Sequence, residues 1–107
     1  LLLDSGADIN AQGGRYGNAL QAAACTGHES IIQLLLASGA DINAQGGYFG
    51  NAIQAAACNG HESIIQLLLA SGADINTQGG YFGNAIQAAA HKDHASIIQL
   101  LLASGAD

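Results

Sequence analysis

The same text returns every 33 residues in this chain, and that repetition limits what it can fold into more than any other property. One copy begins at Leu1, the next at Leu34 and a third at Leu67, and Leu100 to Asp107 open a fourth. Consecutive copies differ at only five positions, which excludes chance resemblance. A fixed period of this size marks a stacked-repeat solenoid, because a unit this small cannot bury its apolar face without neighbours. Residues 1–107 therefore read as one solenoid. It divides into the end of a truncated repeat (1–12), full repeats at 13–45 and 46–78, and a nearly full one at 79–107. The chain starts without Met inside a run of leucines, as expected of a window cut from a longer protein or of an engineered piece.

Each copy carries the punctuation of two short helices. Asn18, Asn51 and Asn84 are N-cap residues, and a glutamine three positions on, as at Gln21, can reach back to the cap amide. Ala19 to Cys25 then form a first helix that is alanine on several faces, and Gly27 ends it. A second helix is expected from His28 to Ser38, with Ile31, Ile32, Leu34, Leu35 and Leu36 as a broad apolar face and Gly39 as its stop. Gly60 and Asp93 take the corner in later copies, and Gly72 and Gly105 the stop. Ahead of each pair, Gly13-Gly14, Gly46-Gly47 and Gly79-Gly80 can take positive φ and are expected to tip a projecting finger. The fold class is all-α, a helix-turn-helix solenoid with β-hairpin or loop fingers. Neither end has a polar capping repeat, so the outer faces of Leu1–Leu3 and of the last helix, around Ile97 to Leu102, are expected to be adhesive.

Charge narrows the partners. Arg15 and Lys92 are the two basic residues against eight acidic ones, a net charge of −6. Nucleic acids and anionic membranes need a basic face to displace counterions, so neither is an expected partner. The longest uncharged stretch, Ile42 to Gly60, is broken by Asn, Gln and Gly, unlike a membrane span of about 20 apolar residues. No targeting segment is visible. Cys25 and Cys58 hold the same place in successive copies. Stacked helices lie about 8–10 Å apart, whereas a disulfide needs Cα atoms within about 7 Å. A bridge between them within one chain is not expected, and the two thiols suggest a reducing, cytoplasmic setting.

Gly60-His61, Ile64-Ile65-Gln66-Leu67-Leu68-Leu69 and Gly72-Ala73-Asp74-Ile75-Asn76, at this period, resemble the ankyrin repeat. The family's usual Thr-Pro-Leu-His is replaced by Asn51-Ala52-Ile53-Gln54, a change that keeps a cap and a helix former and argues against a consensus-designed origin. The form Gly-Gly-Tyr-Phe-Gly-Asn-Ala-Ile-Gln-Ala-Ala further resembles arrays of fungal NACHT, NLR-like multidomain proteins, where such repeats form the sensing region. The resemblance implies recognition of another protein on a concave surface of finger tips and first helices. It implies no catalytic residue and no cofactor.

Differences among the copies indicate where that surface varies. They cluster in the finger, Arg15-Tyr16 against Tyr48-Phe49 and Tyr81-Phe82, and at the end of the first helix, Cys25-Thr26, Cys58-Asn59 and His91-Lys92-Asp93. Aromatic residues on a polar finger are typical anchors of a binding surface. The expected partner-binding residues are Arg15, Tyr48, Tyr81, Cys25, Thr26, Cys58, Asn59, His91 and Lys92, with Tyr16, Phe49 and Phe82 turned inward. Neutral drift at exposed sites would leave the same pattern. Cys25-x-x-His28, Cys58-x-x-His61 and His91-x-x-His94 suggest a metal, but zinc needs about four donors around one ion and each pair recurs one repeat away. A Cys–His dyad lacks the pocket and orienting group that a nucleophile needs. The acids Asp8, Asp41, Asp74 and Asp107 are expected to bond turn amides, as are Asn10, Asn43 and Asn76, while Gln33, Gln66 and Gln99 face solvent.

The function read from the sequence is non-catalytic protein binding, as the recognition or sensing array of a larger cytoplasmic signalling protein. Two alternatives remain at this level. The repeats could self-associate head to tail, since residues 1–8 and 100–107 share all but Asp4 and Ala103; or the chain could be an engineered binding scaffold without a natural partner.

Overall fold

The computed structural model describes residue 13 and residues 17–105. Within them, helices follow as three pairs: α1 (Ala19–Thr26) with α2 (Glu29–Ala37), α3 (Ala52–Cys58) with α4 (Glu62–Ala70), and α5 (Ala85–His91) with α6 (Ala95–Ala103). The caps form as the sequence indicates. Asn18 Oδ1 accepts the Gln21 N–H at 2.9 Å and Gln21 Oε1 accepts the Asn18 N–H at 2.9 Å, a complete capping box. Asn51 and Asn84 accept the amides of Gln54 and Gln87 in the same way. At the corners Gly27 and Gly60 have φ of +83° and +72°, and Asp93 takes φ +60° in their place.

α1 packs on α3 and α3 on α5, while α2, α4 and α6 lie chiefly against their own partners. Alanine makes the inner row possible. Ala24, Ala55, Ala56, Ala57, Ala88 and Ala89 are fully buried, their methyl groups allowing neighbouring backbones to approach closely. The result is an elongated stack of 41 × 23 × 19 Å.

Repeated text does not mean repeated burial. In the middle pair Ile64, Ile65 and Leu68 are buried, but in the first pair only Ile32 and Leu35 are, leaving Ile31 and Leu34 each 45% exposed. The broad apolar face expected on α2 is therefore divided: half serves the pair's own core, and half needs a repeat in front of it. At the other end Ile97 and Leu101 are buried and Leu102 is exposed. Leu1–Leu3 lie outside the described residues.

Polar side chains bind one repeat to the next. Gln21 Nε2 donates to the Gly46 carbonyl at 2.9 Å, and Gln54 Nε2 to those of Thr77 and Gly83 at 3.1 and 3.0 Å. His61 Nε2 lies 2.9 Å from the Cys25 carbonyl and His94 Nε2 3.0 Å from that of Cys58. A carbonyl only accepts, so each ring carries its proton on Nε2. The turn is closed by Asp41 and Asp74, whose carboxylates accept the amides of Asn43 and Asn76 at 3.0 Å. The asparagines instead reach forward: Asn43 Oδ1 accepts the Asp74 N–H at 2.7 Å, and Asn76 Nδ2 donates to the Gly105 carbonyl at 3.3 Å. The Asn series thus joins repeats as well as shaping turns.

Candidate functional site

The fingers begin as small antiparallel closures. The amides of Gly13, Gly46 and Gly79 donate to the carbonyls of Gly17, Gly50 and Gly83 at 2.6, 2.8 and 2.8 Å. This places the first glycine at the base of the finger rather than its tip, so that Gly47-Tyr48-Phe49 and Gly80-Tyr81-Phe82 form the loop. Successive fingers also hold each other, with the Tyr81 N–H donating to the Tyr48 carbonyl at 2.8 Å. Gly80, at φ +70°, would place a Cβ 2.5 Å from the Phe49 carbonyl carbon. Only glycine permits that approach.

The finger aromatics divide by depth. Phe49 is buried and Phe82 half-buried, whereas Tyr48 is 36% and Tyr81 69% exposed. The tyrosine rings stack with centroids 5.0 Å apart and planes at 12°. Phe82 meets Tyr81 edge-on at 5.1 Å and lies 4.9 Å from the His91 ring. That last contact joins the finger to the end of α5, where His91 and Lys92 are both exposed. Sequence separation gave no sign of the Phe82–His91 pairing. The two regions that vary between copies thus meet on one surface.

The remaining expected residues fall in different places. Thr26 is exposed, but its hydroxyl donates to the Ala22 carbonyl at 3.0 Å. Asn59 is exposed and donates to the Ala55 carbonyl at 3.1 Å and to Cys25 Sγ at 3.2 Å. Cys25 is half-buried. Cys58 is only 3% exposed and leaves the surface set, because the middle helix has a neighbour on each side. Burial pushes its thiol above the ordinary value, offset in part by Lys92 and reinforced by Cys25. Arg15, together with Tyr16, lies outside the described residues.

Sequence reasoning passed over Gln54, whose Oε1 is buried without a hydrogen-bond partner while its Nε2 bridges two carbonyls. Its role is to join repeats. Cys58 is a free thiol. Among the described residues no cluster of His, Cys, Asp and Glu is arranged to hold a metal ion. None of the described helices is long and apolar enough to cross a membrane.

A family model described as ankyrin repeats (3 copies) matches residues 1–79 and 47–107, which together span the chain. The match is to ankyrin repeats as a class and does not extend to the fungal NACHT arrays. Comparison with curated proteins gives no match.

Proposed function

Because the chain belongs to the ankyrin repeat family, we propose that its fingers and inner helix ends bind another protein without catalysing a reaction on it. Ankyrin repeats are in general protein–protein interaction modules. The observation that carries the reading here is the exposed Tyr48–Tyr81 stack, at a position where the first copy has Arg15 instead. Stacked tyrosines offer a rigid apolar face with hydroxyl edges at small entropic cost, the character of an interface anchor. Tyr48, Tyr81, His91 and Lys92 form the centre of the proposed surface, with Cys25, Thr26 and Asn59 around it, and Arg15 is assigned to the same partner-binding set from the sequence alone. Cys58 supports it from beneath.

In the fuller form of this proposal the chain is the recognition array of a larger cytoplasmic signalling protein. Binding there regulates an attached nucleotide-hydrolysing domain. The likeness of the finger text to NACHT-protein arrays supports the attached domain.

The test is parallel capture from cells of the source organism, using the chain, a Tyr48→Ala/Tyr81→Ala variant and a Gln33→Ala/Gln66→Ala variant. A true partner is depleted at least about tenfold, or about 1.4 kcal/mol, by the tyrosine pair alone. Equal recovery on all three baits would refute the assignment of the surface.

A further inference from the structure

We propose that Tyr48 and Tyr81 form an oxidative cross-linking site, at which a haem peroxidase using hydrogen peroxide joins the two rings into dityrosine and fastens one repeat to the next. The inference goes beyond the partner-binding reading and does not depend on it.

It starts from the register of the copies. Tyr48 and Tyr81 are one position of the repeat, 33 residues apart. Their rings are stacked, with centroids 5.0 Å apart and planes at 12°. The backbone fixes this register, since the Tyr81 N–H donates to the Tyr48 carbonyl at 2.8 Å. Neighbouring rings wall the stack in. Phe49 meets Tyr48 edge-on at 5.1 Å, and Phe82 stands edge-on to Tyr48 at 5.9 Å and to Tyr81 at 5.1 Å. Neither phenylalanine carries a hydroxyl, so of these four rings only the tyrosines form phenoxyl radicals. Both tyrosines are exposed, within reach of an oxidant.

One-electron oxidation takes an electron and the hydroxyl proton from each ring. It leaves two phenoxyl radicals whose unpaired spin lies partly on the ring carbons ortho to the oxygen. Pairing of the radicals forms one carbon–carbon bond between an ortho carbon of each ring. Each joined carbon then gives up its hydrogen as a proton, each oxygen regains one, and both rings are aromatic again. The pair has lost two hydrogen atoms in all, and one hydrogen peroxide has become two waters.

Proximity decides which ring is joined to which. A group held close within the same molecule acts at an effective concentration of about 1 mM or more. At about 10 µM protein, the neighbour within the chain is therefore favoured about a hundredfold over a ring on another molecule. In the repeat register Tyr16 corresponds to Phe49 and Phe82, not to Tyr48 and Tyr81.

The test treats the full chain with a haem peroxidase and one equivalent of hydrogen peroxide. Dityrosine is read by its blue fluorescence and by mass spectrometry of linked peptides. The expected product is a monomer joined between Tyr48 and Tyr81, with a yield per chain unchanged over an about tenfold range of protein concentration. Tyr48→Phe and Tyr81→Phe keep the stacked ring and remove only the hydroxyl. Each is expected to cut the signal at least about tenfold, and Tyr16→Phe to leave it unchanged. The bond closes a loop of 33 residues, so the linked chain is expected to melt at least about 10 °C higher. Absence of dityrosine, covalent dimers as the main product, linkage through Tyr16, or a signal that survives either phenylalanine variant at position 48 or 81 would overturn the site. An unchanged melting temperature would overturn the fastening.

Discussion

Ile64→Ala, Ile97→Ala and Ile31→Ala are one substitution made at three copies of one position, and the structure assigns them different losses. Ile64 and Ile97 are 2% exposed and Ile31 is 45% exposed. Truncation removes three carbons, each contributing about 0.8 kcal/mol when fully buried. A residual void of about 50 Å3 at about 24 cal/mol per Å3 adds roughly 1 kcal/mol. Ile64→Ala and Ile97→Ala should therefore each cost about 3–4 kcal/mol. At Ile31 about half the transfer free energy is at stake and no closed void forms. The better helix propensity of alanine returns about 0.4 kcal/mol, leaving a loss of about 1 kcal/mol. The assay is urea denaturation followed by circular dichroism, with the midpoint read against an unchanged slope. In thermal melts the buried sites should fall by more than about 12 °C and Ile31 by about 4–8 °C, the scale for a domain near this size. Equal losses at all three would mean that burial at this position does not come from the preceding repeat.

The finger rings offer a second contrast: Phe49→Ala should cost about 3 kcal/mol or more. Tyr81→Ala should cost about 1 kcal/mol, the loss of one ring stack, with the melting curve as readout. Asp93→Gly relieves a left-handed backbone at a residue with a Cβ and should stabilise the chain by about 1 kcal/mol in the same melts. Iodoacetamide should label Cys25 well before Cys58, resolved by peptide mass spectrometry, because burial hinders access and keeps the Cys58 thiol protonated. Since that thiol is raised in the fold, its contribution is full below its ordinary 9.0 and is lost as pH rises through the folded value. Stability should therefore fall above about pH 9, and Cys58→Ala should flatten that decline.

Much of this protein was determined by local chemistry. The period, the asparagine caps and the glycine corners each act within a few residues, so the helix pairs and their order were readable from the text alone. The ankyrin likeness followed from the same residues. What the text could not distinguish was one copy of a residue from another. Ile31 and Ile64, Gln87 and Gln54, and Ala90 and Ala57 sit in nearly identical sequence, yet differ in burial because of what stands one repeat away. The Phe82–His91 contact and the forward reach of Asn43 likewise span distances that no local rule encodes. Only the stacked structure decided which side chains are core and which are surface, because burial is a property of neighbours and not of the residue itself.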